Sequence, residues 1–342
     1  MGKVKFKKPP KPAPGSLLAA PFLWLEWSMD WLAYWLSHLA IFNVLKYVGK
    51  LAVLLAIITW FTELPARKHA AIRENWSILF EKGGGRMEAL LFLHDEGIDL
   101  RGLNGEYGFF EGIDLHGADL YGADLSNAKL AKANLRYATL SNSELNKAIL
   151  DSANLTAAKL SYSEMINAKL RATKLDSADL TFADLRGAFL NGASLRAADL
   201  SEARLSDASL GFADLTGATF LFAKLDSADL NTAKLRYADL SLADMRGVRL
   251  YAADLENAIL TFAILVGADL SGADLKGADL KSALLIDVDF EHAILDSADL
   301  RGANVRGANF RHASLRGADL RNVRFLSDSS FVDADTTGIV LQ

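Results

Sequence analysis

Residues 271–280 read SGADLKGADL, two near-copies of one five-residue phrase. From Glu111 to Phe325 the phrase continues through 43 consecutive pentads without insertion or deletion. The residue whose number ends in 0 or 5 is Leu in 36 of them; the exceptions are Met165, Phe220, Met245, Phe290, Val305, Phe310 and Phe325. Two residues earlier Ala stands in 36 of the 43, replaced by Ile113, Ser143, Ser163, Thr173, Val248, Val288 and Val323.

A period of five suits neither regular element. An α-helix turns about 100° per residue, so the Leu would be smeared round its surface. A strand alternates faces, so an odd period throws successive Leu to opposite sides. One arrangement works: Ala and Leu point the same way, and the chain turns a corner before the next pentad. Repeated corners close a square coil with Leu and Ala inside. Gly recurs just after the corner, as at Gly272 and Gly277, where unusual dihedrals are needed. With four pentads to a coil and about 4.8 Å between coils, the repeat makes about eleven coils and a rod about 50 Å long. No coil can bury its own interior, so stability comes from stacking.

The phrases GADLSGADLKGADL (267–280) and SADLTFADLRGAFL (177–190) closely resemble the pentapeptide-repeat family. The resemblance implies an all-β solenoid, a right-handed quadrilateral parallel β-helix; handedness comes from the resemblance and not from the spacing.

The head differs in kind. All six Trp and all six Pro precede residue 77. Residues 1–95 hold 12 Lys/Arg against 7 Asp/Glu, a net +5, which leaves 25 against 35, a net −10, for residues 96–342. A basic head on an acidic rod suggests an anionic membrane surface for the head. The tail 1–16, with five Lys and four Pro, reads as extended and disordered. Residues 17–62 read as a Trp-rich interfacial helix followed by an embedded one. Trp24, Trp27, Trp31 and Trp35 are spaced 3, 4 and 4, on one helical face. The uncharged run LAVLLAIITWF (51–61), which includes Trp60, spans about 17 Å of helix, so the embedded segment extends back to about residue 40 and takes in Lys46 and Lys50. A two-helix hairpin turning near Gly49 is the alternative. Arg67, Lys68 and Arg73 favour a cytoplasmic exit and the Lys tail also favours the cytoplasm; only a hairpin or a monotopic insertion satisfies both, so the topology stays open.

Residues 63–95 read as linker helices (one over Ala70–Phe80) and a cap over Met87–His94, because a β-helix exposes a backbone edge at each end. Three degenerate pentads, EGIDL, RGLNG and EYGFF, then lead into the repeat (96–325), and 326–342 reads as a C-terminal cap or tail. The segment from Asn75 to Leu100 is similar to the head of membrane-anchored bacterial pentapeptide-repeat proteins of cyanobacterial type. That resemblance implies an inner or thylakoid-type membrane, and the basic residues after the apolar run set the expectation that the repeat is on the cytoplasmic side.

No arrangement of Ser, His and Asp, glycine-rich phosphate loop or zinc-binding motif is present, and the chain has no Cys. The Asp before the central residue recurs 17 times, too uniformly for a catalytic pair. A non-enzymatic protein is therefore expected, without cofactor or metal and without a nucleic-acid partner. His38, on an apolar helix, is the one candidate ligand for a pigment or haem. Two binding classes remain. Asp119, Asp179, Asp199, Asp239, Asp279, Asp299 and Asp319 would stack in one column if coils are twenty residues, the arrangement of a DNA mimic that binds a topoisomerase. The same folding stacks Tyr162, Phe182, Phe222, Leu242 and Phe262 in an outward column, with Leu221, Ile264 and Leu284 beside it. An apolar column of that size favours a membrane-tethered scaffold, with lipid and a protein of a membrane complex as partners.

Overall fold

The computed structural model describes residues 28–29, 31–32, 40–80, 85–326 and 329–341. The chain divides into two compact units, Met1–Arg73 and Glu74–Gln342.

Helix α1 runs from Ala40 to Phe80 without interruption. It passes through Gly49, so the hairpin alternative is not formed, and it joins the two helices expected either side of residue 63. Pro65 lies inside it. A proline there removes one main-chain bond but keeps a helical φ, so it does not end the helix. The turn around it is reinforced by a 2.7 Å ion pair between Arg67 and Glu63. Thr59 Oγ1 donates to the Leu55 carbonyl at 2.8 Å, so this hydroxyl is satisfied within the apolar stretch.

In the second unit every coil from Asn104 to Arg324 is twenty residues, as the parallel bridges Asn104↔Asp124, Asp214↔Lys234 and Asp279↔Asp299 show. The sides of the square are ladders of single bridged residues and not extended strands, because each side is only a few residues long before the next corner. Main-chain bonding accounts for the period. Counting the central residue as fifth, the fifth and second N–H groups donate to the next coil: Leu215 to Lys234 O at 2.7 Å and Gly217 to Arg236 O at 2.8 Å. The fourth donates to the previous coil (Asp214 to Ala193 O, 2.9 Å) and the third closes the turn (Ala218 to Leu215 O, 3.0 Å). One N–H per pentad, the first, is left over. The recurring Asp accepts it: Asp214 Oδ1 takes the Thr216 N–H at 3.2 Å and its hydroxyl at 2.6 Å. Elsewhere an Asp one coil earlier does so, as Asp176 does for Arg196 at 3.0 Å.

The second residue of each pentad is left-handed, with φ of +66° at Gly272 and +65° at Gly277. The central and Ala positions form the core; Leu215 and Ala213 are fully buried. The polar exceptions bond inward, Ser143 Oγ to Leu140 O at 2.6 Å and Thr173 Oγ1 to Leu150 O at 2.9 Å.

Helix α2 (Arg86–Asp95) buries Ala89, Leu90 and Leu93, and Arg86 reaches the first coil at Asn104 and Glu106. At the other end the ladder passes residue 325. Ser330, Asp335 and Val340 pair with Asn309, Ser314 and Asp319, each 21 residues away. Phe325, expected inside, is half exposed with φ +63°. One residue is inserted between positions 325 and 330, so the interior place beneath Phe310 passes to Phe331. Phe290, Phe310 and Phe331 stack at 4.9 and 4.8 Å.

Candidate interaction surface

Because the coil is twenty residues, Tyr162, Phe182, Phe222, Leu242 and Phe262 fall in one column, at the second pentad position. All five have φ of +58° to +60°. Bulky L-residues adopt that conformation at a cost, and Gly is the residue it favours. Their side chains nevertheless point outward, with Phe222 52%, Leu242 41% and Phe262 58% exposed. Tyr162 and Phe182 stack with centroids 4.7 Å apart and ring planes 2° from parallel, face to face and not edge to edge. Glu202 interrupts the column and divides it into an upper pair and a lower trio.

Beside the lower trio, Leu221, Ile264 and Leu284 are half-buried, and Ile264 bridges Leu284. Val266 and Ile286, round the next corner, are half-buried too and complete the patch. Sequence reasoning missed this pair. The signal lay in other coils, where the same corner carries ion pairs: Asp184–Arg186 at 2.6 Å and, one coil away, Asp244–Arg246 at 2.5 Å. In two successive coils the corner is Ile264 with Val266 and Leu284 with Ile286. Loss of the Asp also leaves the corner N–H groups of Val266 and Ile286 without an acceptor among the described residues.

The acidic column also forms, with Asp279, Asp299 and Asp319 in successive coils, but at that end it is neutralised in place. Lys281 Nζ lies 2.7 Å from Asp279 and 3.2 Å from Asp299. Arg301 binds Asp299 at 2.7 Å, and Arg321 binds Asp319 at 2.6 Å. The Arg301 hydrogen bonds hold the Asp299 carboxyl down to about 2, and those of Arg321 lower Asp319. A column of alternating sign differs from the continuous anionic surface of a DNA mimic.

Among the described residues no group of His, Asp and Glu could hold a metal ion. Trp31 and Trp60 are exposed; Trp24, Trp27, Trp35 and His38 lie outside the described residues. One helix among those described, Val48–Leu79, is long and apolar enough to cross a membrane.

The family description "Pentapeptide repeats (8 copies)" matches in overlapping segments from 97–130 to 283–322. Among solved structures, the chain is similar to HetL, a pentapeptide repeat protein involved in heterocyst differentiation regulation in the cyanobacterium Nostoc sp. strain PCC 7120. Identity is 29% over 74% of this chain and 96% of that one, with a TM-score of 0.34. A pentapeptide repeat protein of the Arabidopsis thaliana thylakoid lumen is 32% identical over 33% of this chain and 71% of its own, with a TM-score of 0.19. QnrB1, a plasmid-mediated fluoroquinolone resistance protein, is 19% identical over 49% of this chain and 89% of its own, with a TM-score of 0.28. No curated protein matches the chain.

Proposed function

We propose, from the premise that the chain belongs to the pentapeptide-repeat family of right-handed quadrilateral β-helices, that it is a non-enzymatic scaffold that presents one side of its rod to a protein partner. The observation that carries this reading is the second-position column at Phe222, Leu242 and Phe262. Three large apolar side chains stand exposed at places where the backbone favours Gly. A residue type that costs backbone energy and exposes apolar area has a function other than folding.

The head is read as a membrane tether, with lipid as its partner. Support comes from the 32-residue segment Val48–Leu79, of mean hydropathy 1.5, and from exposed Val53, Leu54, Ile57, Ile58, Trp60 and Phe61. Arg67, Lys68 and Arg73 follow the apolar run and place the rod on the cytoplasmic side in this reading. The DNA-mimic alternative is not favoured, because lysine and arginine pair with the acidic column.

The test is the double variant Phe222→Asp with Phe262→Asp, expressed as the full chain in its native host. The expected result is an unchanged circular-dichroism spectrum, unchanged resistance to extraction by salt and alkali, and loss of the protein that co-purifies with the parent. Retention of that protein would remove the column as the binding face. Full-length protein that stays soluble without detergent would remove the tether.

A further inference from the structure

The corner formed by Ile264, Val266, Leu284 and Ile286 continues one coil further into Asn304 and Arg306, and then into Arg324, which bridges Asn304. Arg306 and Arg324 are exposed. Neither is in an ion pair among the described residues, whereas Arg186, Arg246, Arg301 and Arg321 in comparable places are all paired. Two aliphatic rungs thus end in two uncompensated guanidinium groups. The same corner offers the unbonded N–H groups of Val266 and Ile286. The carboxylates that take such donors elsewhere in the rod are replaced at these two rungs by Ile264 and Leu284.

We propose that this corner docks an amphipathic α-helix of the partner lying along the rod, with an apolar stripe on the patch and Asp or Glu along one edge. The inference deepens the scaffold reading and rests on it. Shape argues for a helix. On the sides of the rod the second, third, fourth and fifth N–H groups of each pentad are already bonded, so there is no free edge to which a strand could add. A partner must therefore bring a backbone satisfied within itself. Turns of a helix rise about 5.4 Å against about 4.8 Å per coil, so over the three steps from Phe222 to Leu284 the two drift by about 1.8 Å, within the reach of flexible side chains. Charge argues for the acidic edge. The partner's carboxylates would supply at Val266 and Ile286 the acceptor that Asp244 supplies to Arg246, and would pair with Arg306 and Arg324. An anionic bilayer satisfies the same arginines but also meets Asp239, which has no ion pair among the described residues, on the other flank of this side, which opposes it.

The experiment selects binders to the full chain in detergent micelles from a displayed library of helical peptides of about 20 residues. Leu is fixed at every third or fourth position and the flanks are randomised. Binders lost on Leu284→Asp with Ile286→Asp are sequenced and measured by fluorescence anisotropy. The expected result is enrichment of Asp and Glu on one flank, and a loss of affinity of about tenfold or more on Arg306→Glu with Arg324→Glu. Patch-dependent binders without acidic enrichment, or indifferent to that reversal, overturn the inference and leave the scaffold reading standing. Absence of any patch-dependent binder removes both. Co-sedimentation with anionic vesicles that exceeds that with neutral vesicles and falls on the same charge reversal would assign the corner to lipid, and also overturns it.

Discussion

Arg86 Nη2 lies 2.9 Å from the carbonyl oxygen of Asn104, and Nη1 lies equally close to that of Glu106. One coil on, the equivalent carbonyls accept main-chain N–H groups 19 residues earlier: Asp124 from Gly105 at 2.6 Å and Ser126 from Tyr107 at 3.0 Å. The guanidinium thus takes the place of two donors of a preceding coil, and its plane lies near the Phe110 ring, 5.8 Å from the centroid. Arg86→Met should leave both acceptors without their charged donor, at a cost of about 1.5–3 kcal/mol. Arg86→Lys should recover only part, since one ammonium cannot span both carbonyls with the fork geometry of Arg. Urea denaturation checks the loss, and hydrogen exchange at Phe110 and Leu115 should locate it in the first coils. An unchanged midpoint would show that α2 caps the rod by apolar contact alone.

Gly105 and Gly108 stand where the pattern asks for Leu and Ala; Phe110 is the chief reason at Gly108, and Leu125 with Phe110 at Gly105. A Cβ on Gly108 would lie 2.0 Å from Phe110 Cε2, and one on Gly105 would lie 2.6 Å from Leu125 Cδ2. The large ring fills space that two small residues give up. Gly108→Ala alone should destabilise by about 1–3 kcal/mol through overpacking. Adding Phe110→Leu should recover part of that loss, the Gly105 carbonyl oxygen 2.8 Å from the new Cβ keeping the rest, so that the two changes are not additive. Additive losses in a thermal-melt cycle would show that Gly108 is held for its backbone and not for the ring.

Inside and outside are tested at one corner. Leu215 is fully buried, and Leu215→Ala should cost about 2–5 kcal/mol. Asp214 points outward, yet it satisfies the leftover N–H of Thr216, so Asp214→Ala should cost about 0.5–1.5 kcal/mol. Equal effects in chemical denaturation would reverse the assignment.

How much of this was legible follows from what each feature depends on. The square coil and its core were, because Leu and Ala repeat at a strict interval and a twenty-residue coil turns numbering directly into neighbours. The role of the Asp was half legible; its regularity marked it as structural, but the single unclaimed N–H appears only when every bond is counted. The exit of Phe325 was not, because it depends on one inserted residue beyond it. Val266 and Ile286 escaped because their meaning lies in a contrast with Arg186 and Arg246, twenty and more residues away. The helix through Pro65 escaped because a proline stops a helix more often than it is carried within one.

Acid should act on the paired column. Asp299 is held down to about 2, first by the side-chain hydrogen bonds of Arg301, against an unfolded value of about 3.9. A depressed carboxylate contributes stability that is complete above the unfolded value and is lost as pH falls through the folded one. Stability should therefore fall between about pH 5 and pH 2. Arg301→Ala should raise the Asp299 titration midpoint seen by carbon NMR of its carboxyl. It should also flatten the acid limb of the stability curve. A midpoint that does not move would mean that Lys281 and the turn N–H hold the carboxylate without Arg301.

The column at Phe222, Leu242 and Phe262 separates stability from function more sharply than a charge does. Each residue sits at φ of +58° to +60°, where Gly relieves steric cost but adds freedom to the unfolded chain. Those effects are of similar size and opposite sign. The triple variant to Gly should therefore keep the stability of the rod within about 1 kcal/mol. The same variant removes the exposed apolar side chains, each contributing about 1.5–3 kcal/mol when fully buried against a partner. Partner affinity should fall by orders of magnitude while the melting temperature barely changes. If the triple variant instead unfolds, or melts far below the parent, the three side chains hold neighbouring coils together as a packing ladder. Their exposure would then be a by-product of stacking, and the binding face would have to lie elsewhere on the rod.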